Sequence, residues 1–419
     1  MRRFAFLFFT LLVVGCALAG GVAYFTRQNR LSALDREARE AEAKLDAGGA
    51  DAALPVLKRV AEDGGSPRAM FLLARTAHAR GDRAGTDLWL GRLKAVAPPK
   101  GEWAAAAAFY EARRALDDKP DGTAALPLLV EVLATYERAE AADHALTALG
   151  RLMLAKGDEP AARRYLEKAI RRAQDRTRAA GQGAGVPADP AAGPAGALMP
   201  PGADSPASQA EFLLGDLNMK ALRSPEPQAG DQTYVIKAGD NITKIARTTG
   251  VPAELILGIN NLKAQKLTIG RQIKAPKLDL SIVVDKGDRT LTLRNNNQFL
   301  KKYRVAIARD EKRVPAGSYQ ITSKSDKPEY VEPETGAIFK AGQPDNPLGS
   351  RQMGLRREVC IHGTNRPAEI GGAAAAGWIA LKNEDVEEVY ALVLAGKTRV
   401  MVRGRNPTAE GAPNGGQTK

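Results

Sequence analysis

The chain has 419 residues, with 61 Lys+Arg against 48 Asp+Glu and a formal net charge of +13. That length exceeds one ordinary core, so two to four domains are expected. Two cysteines, Cys16 and Cys360, exclude a disulfide scaffold and any Cys-rich metal cluster, and three scattered histidines, His78, His144 and His362, argue against a multi-His metal centre. No cofactor is expected, and nucleophilic thiol chemistry is confined to Cys16 or Cys360.

Arg2 and Arg3 precede an uncharged apolar run from Phe4 to Phe25. As a helix this run is about 33 Å long, enough to span a bilayer. A basic start with a long apolar core reads as a signal-anchor over residues 1–30. A second reading stays open: Val13-Val14-Gly15-Cys16 resembles a bacterial lipoprotein cleavage box, with Cys16 as the lipidation candidate. Either way, the remainder is expected on the extracytoplasmic side of a bacterial envelope, tethered to the membrane.

Residues 31–175 are rich in Ala, Leu, Arg and Glu, with apolar residues at helical spacing. Breaks recur at Gly48-Gly49-Ala50-Asp51, Gly81-Asp82, Asp121-Gly122 and Gly157-Asp158. The last three are spaced on the scale of helical hairpins. The unit Ala145-Leu146, Leu149-Gly150, Gly157-Asp158, Ala161, Tyr165-Leu166, Ala169-Ile170 resembles a tetratricopeptide repeat. A generic antiparallel bundle is the competing reading. Both make the region a spacer or a surface for a protein partner, with His78 and His144 as ordinary helix residues. Residues 176–232 are rich in Pro, Gly and Ala and read as a flexible linker, with a short helix possible over 212–222. The tail, 404–419, reads as disordered.

From Thr233 a short strand, Tyr234–Lys237, leads to Ala238-Gly239-Asp240-Asn241. A helix with Ile242 and Ile245 follows, then a turn at Thr249-Gly250 and a second helix with Leu255, Ile256 and Ile259. Asn260-Asn261-Leu262 ends it, and Gly270–Ile273 starts a second strand. This βααβ string over 233–277 resembles a lysin motif (LysM). The resemblance implies binding of N-acetylglucosamine-containing glycans such as peptidoglycan, in a shallow groove formed by Gly239, Asp240, Asn241, Ile242, Asn260, Asn261 and Leu262. Amides and carboxamides suit N-acetyl and hydroxyl groups, and Ile suits a sugar face. Capping of the second helix is the plainer role for the Asn pair. Residues 233–276 carry seven basic and two acidic side chains, a balance that suits an anionic wall polymer.

After Lys277 strand-like runs dominate. Val314-Pro315-Ala316-Gly317-Ser318-Tyr319, Asn346-Pro347-Leu348-Gly349, Ile361-His362-Gly363-Thr364-Asn365 and Asn383-Glu384-Asp385-Val386 are similar, in order, to an L,D-transpeptidase catalytic domain over 278–403. Members of that family transfer stem-peptide acyl groups in peptidoglycan through a cysteine. The family motif Ser/Thr-His-Gly-Cys-x-Arg supplies nucleophile, adjacent base and ordering cation.

Here Ile370-Gly371 before the motif and Leu381 with Asn383–Val386 after it set the register without a gap. The Ser position is Ala375, the base position Ala376, the nucleophile position Trp378 and the Arg position Ala380; Gly377 is retained. Methyls and an indole supply neither nucleophile, base nor cation. Cys360 lies two residues before His362, so a strand would put both on one face. It reads as buried filler or, alternatively, as a relocated nucleophile. The retained His362 and Gly363 are expected to keep a structural hydrogen bond in the old cleft, and Trp378 to fill it or to stack on a ligand.

The expected whole is multidomain: a membrane helix, an all-α repeat domain, a linker, a βααβ LysM and a mainly-β L,D-transpeptidase-like domain. The leading reading is a peptidoglycan-binding envelope protein that has lost catalysis; the alternative is an active transpeptidase using Cys360 with His362. No nucleic-acid-binding pattern is present.

Overall fold

The computed structural model describes residues 33–182, 205–228, 230–332, 336–355 and 359–404. The apolar run 4–25, Cys16 and the tail after 404 lie outside these. Among the described residues no helix is long and apolar enough to cross a membrane. The described residues form two compact units, divided between Ala210 and Glu211.

The first unit is helical: α1 (33–46), α2 (Ala50–Gly64), α3 (Pro67–Ala79), α4 (Arg83–Val96), α5 (Glu102–Asp118), α6 (Ala125–Thr135), α7 (Ala141–Ala155) and α8 (Glu159–Gln182). The Gly-Asp breaks work through their carboxylates. Asp82 accepts the Gly85 amide at 2.8 Å and Asp158 the Ala161 amide at 3.0 Å, capping α4 and α8. Neighbouring helices pair, α3 with α4 and α7 with α8. At Gly150 the second pair closes so tightly that a Cβ would run into Leu166. The turns after α2, α4 and α6 escaped the break pattern; at the first, the Ser66 hydroxyl accepts the Ala69 amide and Pro67 takes the first helical position.

The span 176–232 is not a linker throughout. Helix α8 continues to Gln182, and α9 (Pro206–Arg223) is a full helix. Its buried Ala210, Leu214 and Leu217 follow helical spacing, with Met219 buried beside them. The LysM region is β1 (Gln232–Val235), α10 (Ile242–Thr249), α11 (Ala253–Ile259) and β2 (Gln272–Ala275), with β1 and β2 antiparallel.

The β domain follows: β3 (Leu280–Asp285), β4 (Thr290–Asn295), β5 (Gln298–Arg304), β6 (Ala306–Ala308), β7 (Gly317–Gln320), β8 (Ser323–Asp326), β9 (Tyr330–Val331), β10 (Ile338–Phe339), β11 (Arg351–Gly354), β12 (Cys360–His362), β13 (Ala373–Ala374), β14 (Ile379–Ala380), α12 (Asn383–Leu392) and β15 (Arg399–Arg403). One sheet runs β5-β4-β3-β15-β7 and another β13-β6-β14-β12-β11-β8, with β9 and β10 a separate pair. The alternating burial of β3 puts Leu280, Ile282 and Val284 inward, as expected for a sheet with one covered face.

Helix α9 docks on β5. Asn218 donates to the Leu300 carbonyl at 2.9 Å, and Lys301 bridges Asp216 and Glu388, each at 2.8 Å. The LysM is joined to the same body. Ile236, Ile245, Ile256 and Ile259 belong to one continuous buried cluster with Leu280, Ile282 and Val389. Lys274, counted above among the wall-facing charges, is only 3% exposed. Its ammonium reaches the carbonyls of Ser224 at 3.0 Å and Glu226 at 3.1 Å and the Asp231 carboxylate at 3.0 Å. It ties β2 to the segment leaving α9, so it is not a free surface charge.

Candidate functional site

Strands β12 and β14 lie parallel, with Ile361 opposite Ile379 and His362 opposite Ala380. This pairing carries the substituted motif against the His-Gly-Thr segment. The carboxamide oxygen of Asn383, at the start of α12, accepts the amides of Ser350 at 3.1 Å and Thr364 at 3.2 Å. It pins the turn that follows His362. The alanine run is held from the other side, where Glu369 accepts the Ala375 amide at 2.9 Å.

His362 is wholly buried. Its Nδ1–H donates to the Gly363 carbonyl at 2.6 Å, which leaves Nε2 as an acceptor, and Nε2 receives the backbone N–H of Trp378 at 3.0 Å. The ring also meets the Trp378 indole edge-on, with centroids 6.3 Å apart. Burial pushes the imidazole down to about 4, against a smaller upward pull from the Gly363 bond. The ring is therefore neutral at physiological pH. Gly377 has φ +79, and a Cβ there would fall on His362 Nε2; only glycine lets the two segments meet so closely.

The imidazole that faces position 378 is thus His362, sixteen residues upstream, rather than a side chain at the adjacent position, Ala376, where the sequence reading placed the base. Ala375 is exposed, Ala376 and Trp378 are partly exposed, and Ala380 is buried. Ala380 packs with Ala306 and Ala374 in a small methyl cluster. The Arg313 guanidinium, from a 3-10 turn over Glu311–Arg313, sits 5.9 Å above the Trp378 ring. The Tyr330 ring stacks on Phe339, and burial raises its hydroxyl pKa, with the Arg313 charge opposing. Arg313 was not legible as a site residue, because the turn that brings it to Trp378 leaves no sequence pattern.

Cys360 is 2% exposed, and burial drives its thiol up to about 12, with a Gln352 hydrogen bond opposing. A thiol in such surroundings carries almost no thiolate at neutral pH. Both nitrogens of His362 are already engaged, so the Cys360–His362 spacing does not make an activated pair.

In the LysM region the seven groove candidates separate. Asn260 is buried; its carboxamide donates to the carbonyls of Ile256 at 2.9 Å and Lys274 at 2.8 Å and accepts the Lys274 amide at 2.8 Å. It fastens α11 to β2, with both of its N–H donors already used. Asp240 accepts the Tyr234 hydroxyl and the Lys237 amide, both at 2.8 Å, and pairs with Lys244 at 3.1 Å. The Lys237 amide leads in holding its carboxyl below the usual range. The Asn241 carboxamide caps α10 through the Lys244 amide at 2.8 Å. Ile242 and Leu262 lean half-buried on the core. Gly239 and Asn261 remain exposed. The structure adds Ile269, 67% exposed, beside the end of β1 through the Gly270 amide on the Ile236 carbonyl at 2.8 Å. An isolated Ile in a Leu-Thr-Ile-Gly turn gave no sign of that placement.

Residues 279–402 match the family model of the L,D-transpeptidase catalytic domain, and residues 234–276 match that of the LysM domain. The YkuD protein of Bacillus subtilis (strain 168), which carries an L,D-transpeptidase name, is 32% identical over 177 residues, 41% of this chain and 98% of its own length. The similarly named YqjB protein of the same organism is 30% identical over 138 residues, 32% of this chain and 76% of its own. A solved L,D-transpeptidase from Mycobacterium smegmatis aligns over 33% of this chain and 65% of its own, at 14% identity and a TM-score of 0.26.

Proposed function

The chain belongs to the L,D-transpeptidase family, and on that premise we propose that it is a peptidoglycan-binding protein of the bacterial cell envelope whose family domain recognises the wall without transferring acyl groups. The observation that carries this reading is the Trp378–His362 contact. At the position where the family places its thiol, an indole and its backbone amide occupy the imidazole. Acyl transfer needs a nucleophile with a base in reach. Here the base has no acidic hydrogen to take, and the one described cysteine is buried with its thiol held protonated.

The LysM supplies the glycan contact. Lys237, Arg247, Lys263 and Lys266 are exposed on it, a distribution that favours an anionic polymer. The N-terminal apolar run or a lipidated Cys16 tethers the chain to the membrane, and the helical unit, in the manner of tetratricopeptide repeats, meets a protein partner.

The test uses the full chain with purified sacculi and with tetrapeptide-bearing muropeptides. Co-sedimentation with sacculi and no release of D-alanine are expected. Time-dependent D-alanine release, abolished by Cys360→Ser, would establish the transpeptidase alternative instead. Failure to sediment with sacculi would remove the wall-binding reading.

A further inference from the structure

Helices α5 and α7, with the first turn of α9, enclose a groove of about 480 Å³, a volume typical of ligand sites. Phe109, Arg113 and Leu116 line it from α5 at helical spacing, and His144, Arg151 and Leu152 from α7. Its walls are mostly aliphatic and aromatic, and its polar groups differ in what they still have to give. Asp117 is taken by His78 at 2.9 Å, and Arg151 by the Gln209 carboxamide at 3.1 Å. Arg113 has no ion-pair partner among the described residues. His144 is only 5% exposed and packs against Phe109 at 5.2 Å, yet its Nε2 has no hydrogen-bond partner. A buried polar nitrogen left unpaired costs about 1–3 kcal/mol. Such a cost, beside an unpaired guanidinium and an apolar cavity, is explained by a ligand that satisfies both.

We propose that this groove docks an extended segment of a partner polypeptide that presents a carboxylate beside an apolar side chain. The carboxylate accepts from the Arg113 guanidinium and from the His144 N–H, and the apolar side chain lies on Phe109, Leu116 and Leu152. Charge complementarity selects the carboxylate: the unpaired groups of the groove are a cation and an imidazole held neutral by burial and by the charge of Arg113. A guanidinium shared with a neutral N–H is a donor-only pair once the imidazole carries its proton on the orphaned nitrogen. The inference rests on the reading that the helical unit meets a protein partner, and not on the state of the transpeptidase-family domain.

The experiment pans a displayed library of random dodecapeptides against the full chain and measures the enriched peptides by fluorescence anisotropy. Enriched sequences are expected to share an Asp, a Glu or a free carboxy terminus within a few residues of Leu, Ile or Phe. Their affinity should fall about tenfold or more in Arg113→Gln and also in His144→Phe, with helical circular dichroism unchanged. The proposal is overturned if nothing is enriched above a blank surface, if enriched sequences lack an acid, or if both variants bind them as the parent does. Displacement of a bound peptide by its own carboxamide analogue at equal concentration would likewise remove the carboxylate contact. Displacement by decanoate but by no competing peptide would assign the groove to fatty carboxylates instead.

Discussion

The Nε2 atom of His362 accepts the backbone N–H of Trp378 at 3.0 Å. A side chain placed at 378 therefore starts within reach of a buried imidazole, whatever that side chain is. Trp378→Cys is expected to place a thiol there. After iodoacetamide treatment at pH 7, peptide mapping should find carboxamidomethyl at position 378 and essentially none at Cys360, whose thiol sits near 12. Equal labelling of both cysteines would contradict the burial described for Cys360.

Gly377 adjoins that contact. Gly377→Ala adds a Cβ on His362 Nε2 and forces φ +79 on an alanine. A cost of about 3 kcal/mol is expected, read as a lowered midpoint in urea. An unchanged midpoint would mean that the β12–β14 junction is looser than its hydrogen bonds imply.

Stability should fall on the acid side of neutrality. His362 and His144 each sit near 4 when folded against 6.5 when exposed. Between those values the unfolded chain binds more protons than the folded one, so stability rises with pH. It is complete above about pH 6.5 and is lost as pH falls toward 4. Each imidazole contributes at most about 3 kcal/mol to that slope. Urea unfolding at pH 7.5 and pH 5 should show the loss in the parent, and a smaller one in His362→Gln.

Two adjacent asparagines should behave oppositely. Asn260→Ala strands the Lys274 amide and the Ile256 and Lys274 carbonyls, and should cost about 2–3 kcal/mol while leaving sacculus binding per folded molecule unchanged. Asn261→Ala, at an exposed residue with φ +48, should change stability by less than about 1 kcal/mol and weaken sacculus binding. The reverse pattern would return Asn260 to the glycan groove.

These residues also mark where sequence reasoning reached and where it stopped. The β domain and the LysM were legible because their turns and strands follow one another in a fixed order; the parallel pairing of β12 with β14, which brings the motif to the His-Gly-Thr segment, is a finding of the structure. The face on which His362 would be spent was not legible: adjacency in sequence pointed to position 376, while a parallel strand pair decides the neighbour. Helix α9 was submerged in Pro- and Ala-rich composition, although Leu214, Leu217 and Asn218 carry its docking. Lys274 looked like surface charge because composition cannot distinguish an ammonium in water from one held by two backbone carbonyls and a carboxylate.

The Lys274 tie is itself testable. Lys274→Met leaves Asp231 and the carbonyls of Ser224 and Glu226 without their donor. A loss of about 3 kcal/mol is expected, with the same transition seen by probes in the LysM and in the β domain.

That tie has a consequence for how the wall is met. A sugar-binding module on a free tether can swivel, and its companion then samples every orientation. Here Lys274, α9 and the common cluster through Ile259 and Leu280 remove the swivel. On the proposed function, a LysM laid along a glycan strand would fix the bearing of the Trp378 face toward neighbouring strands, and the two modules would read the wall as one ruler rather than as two separate hands.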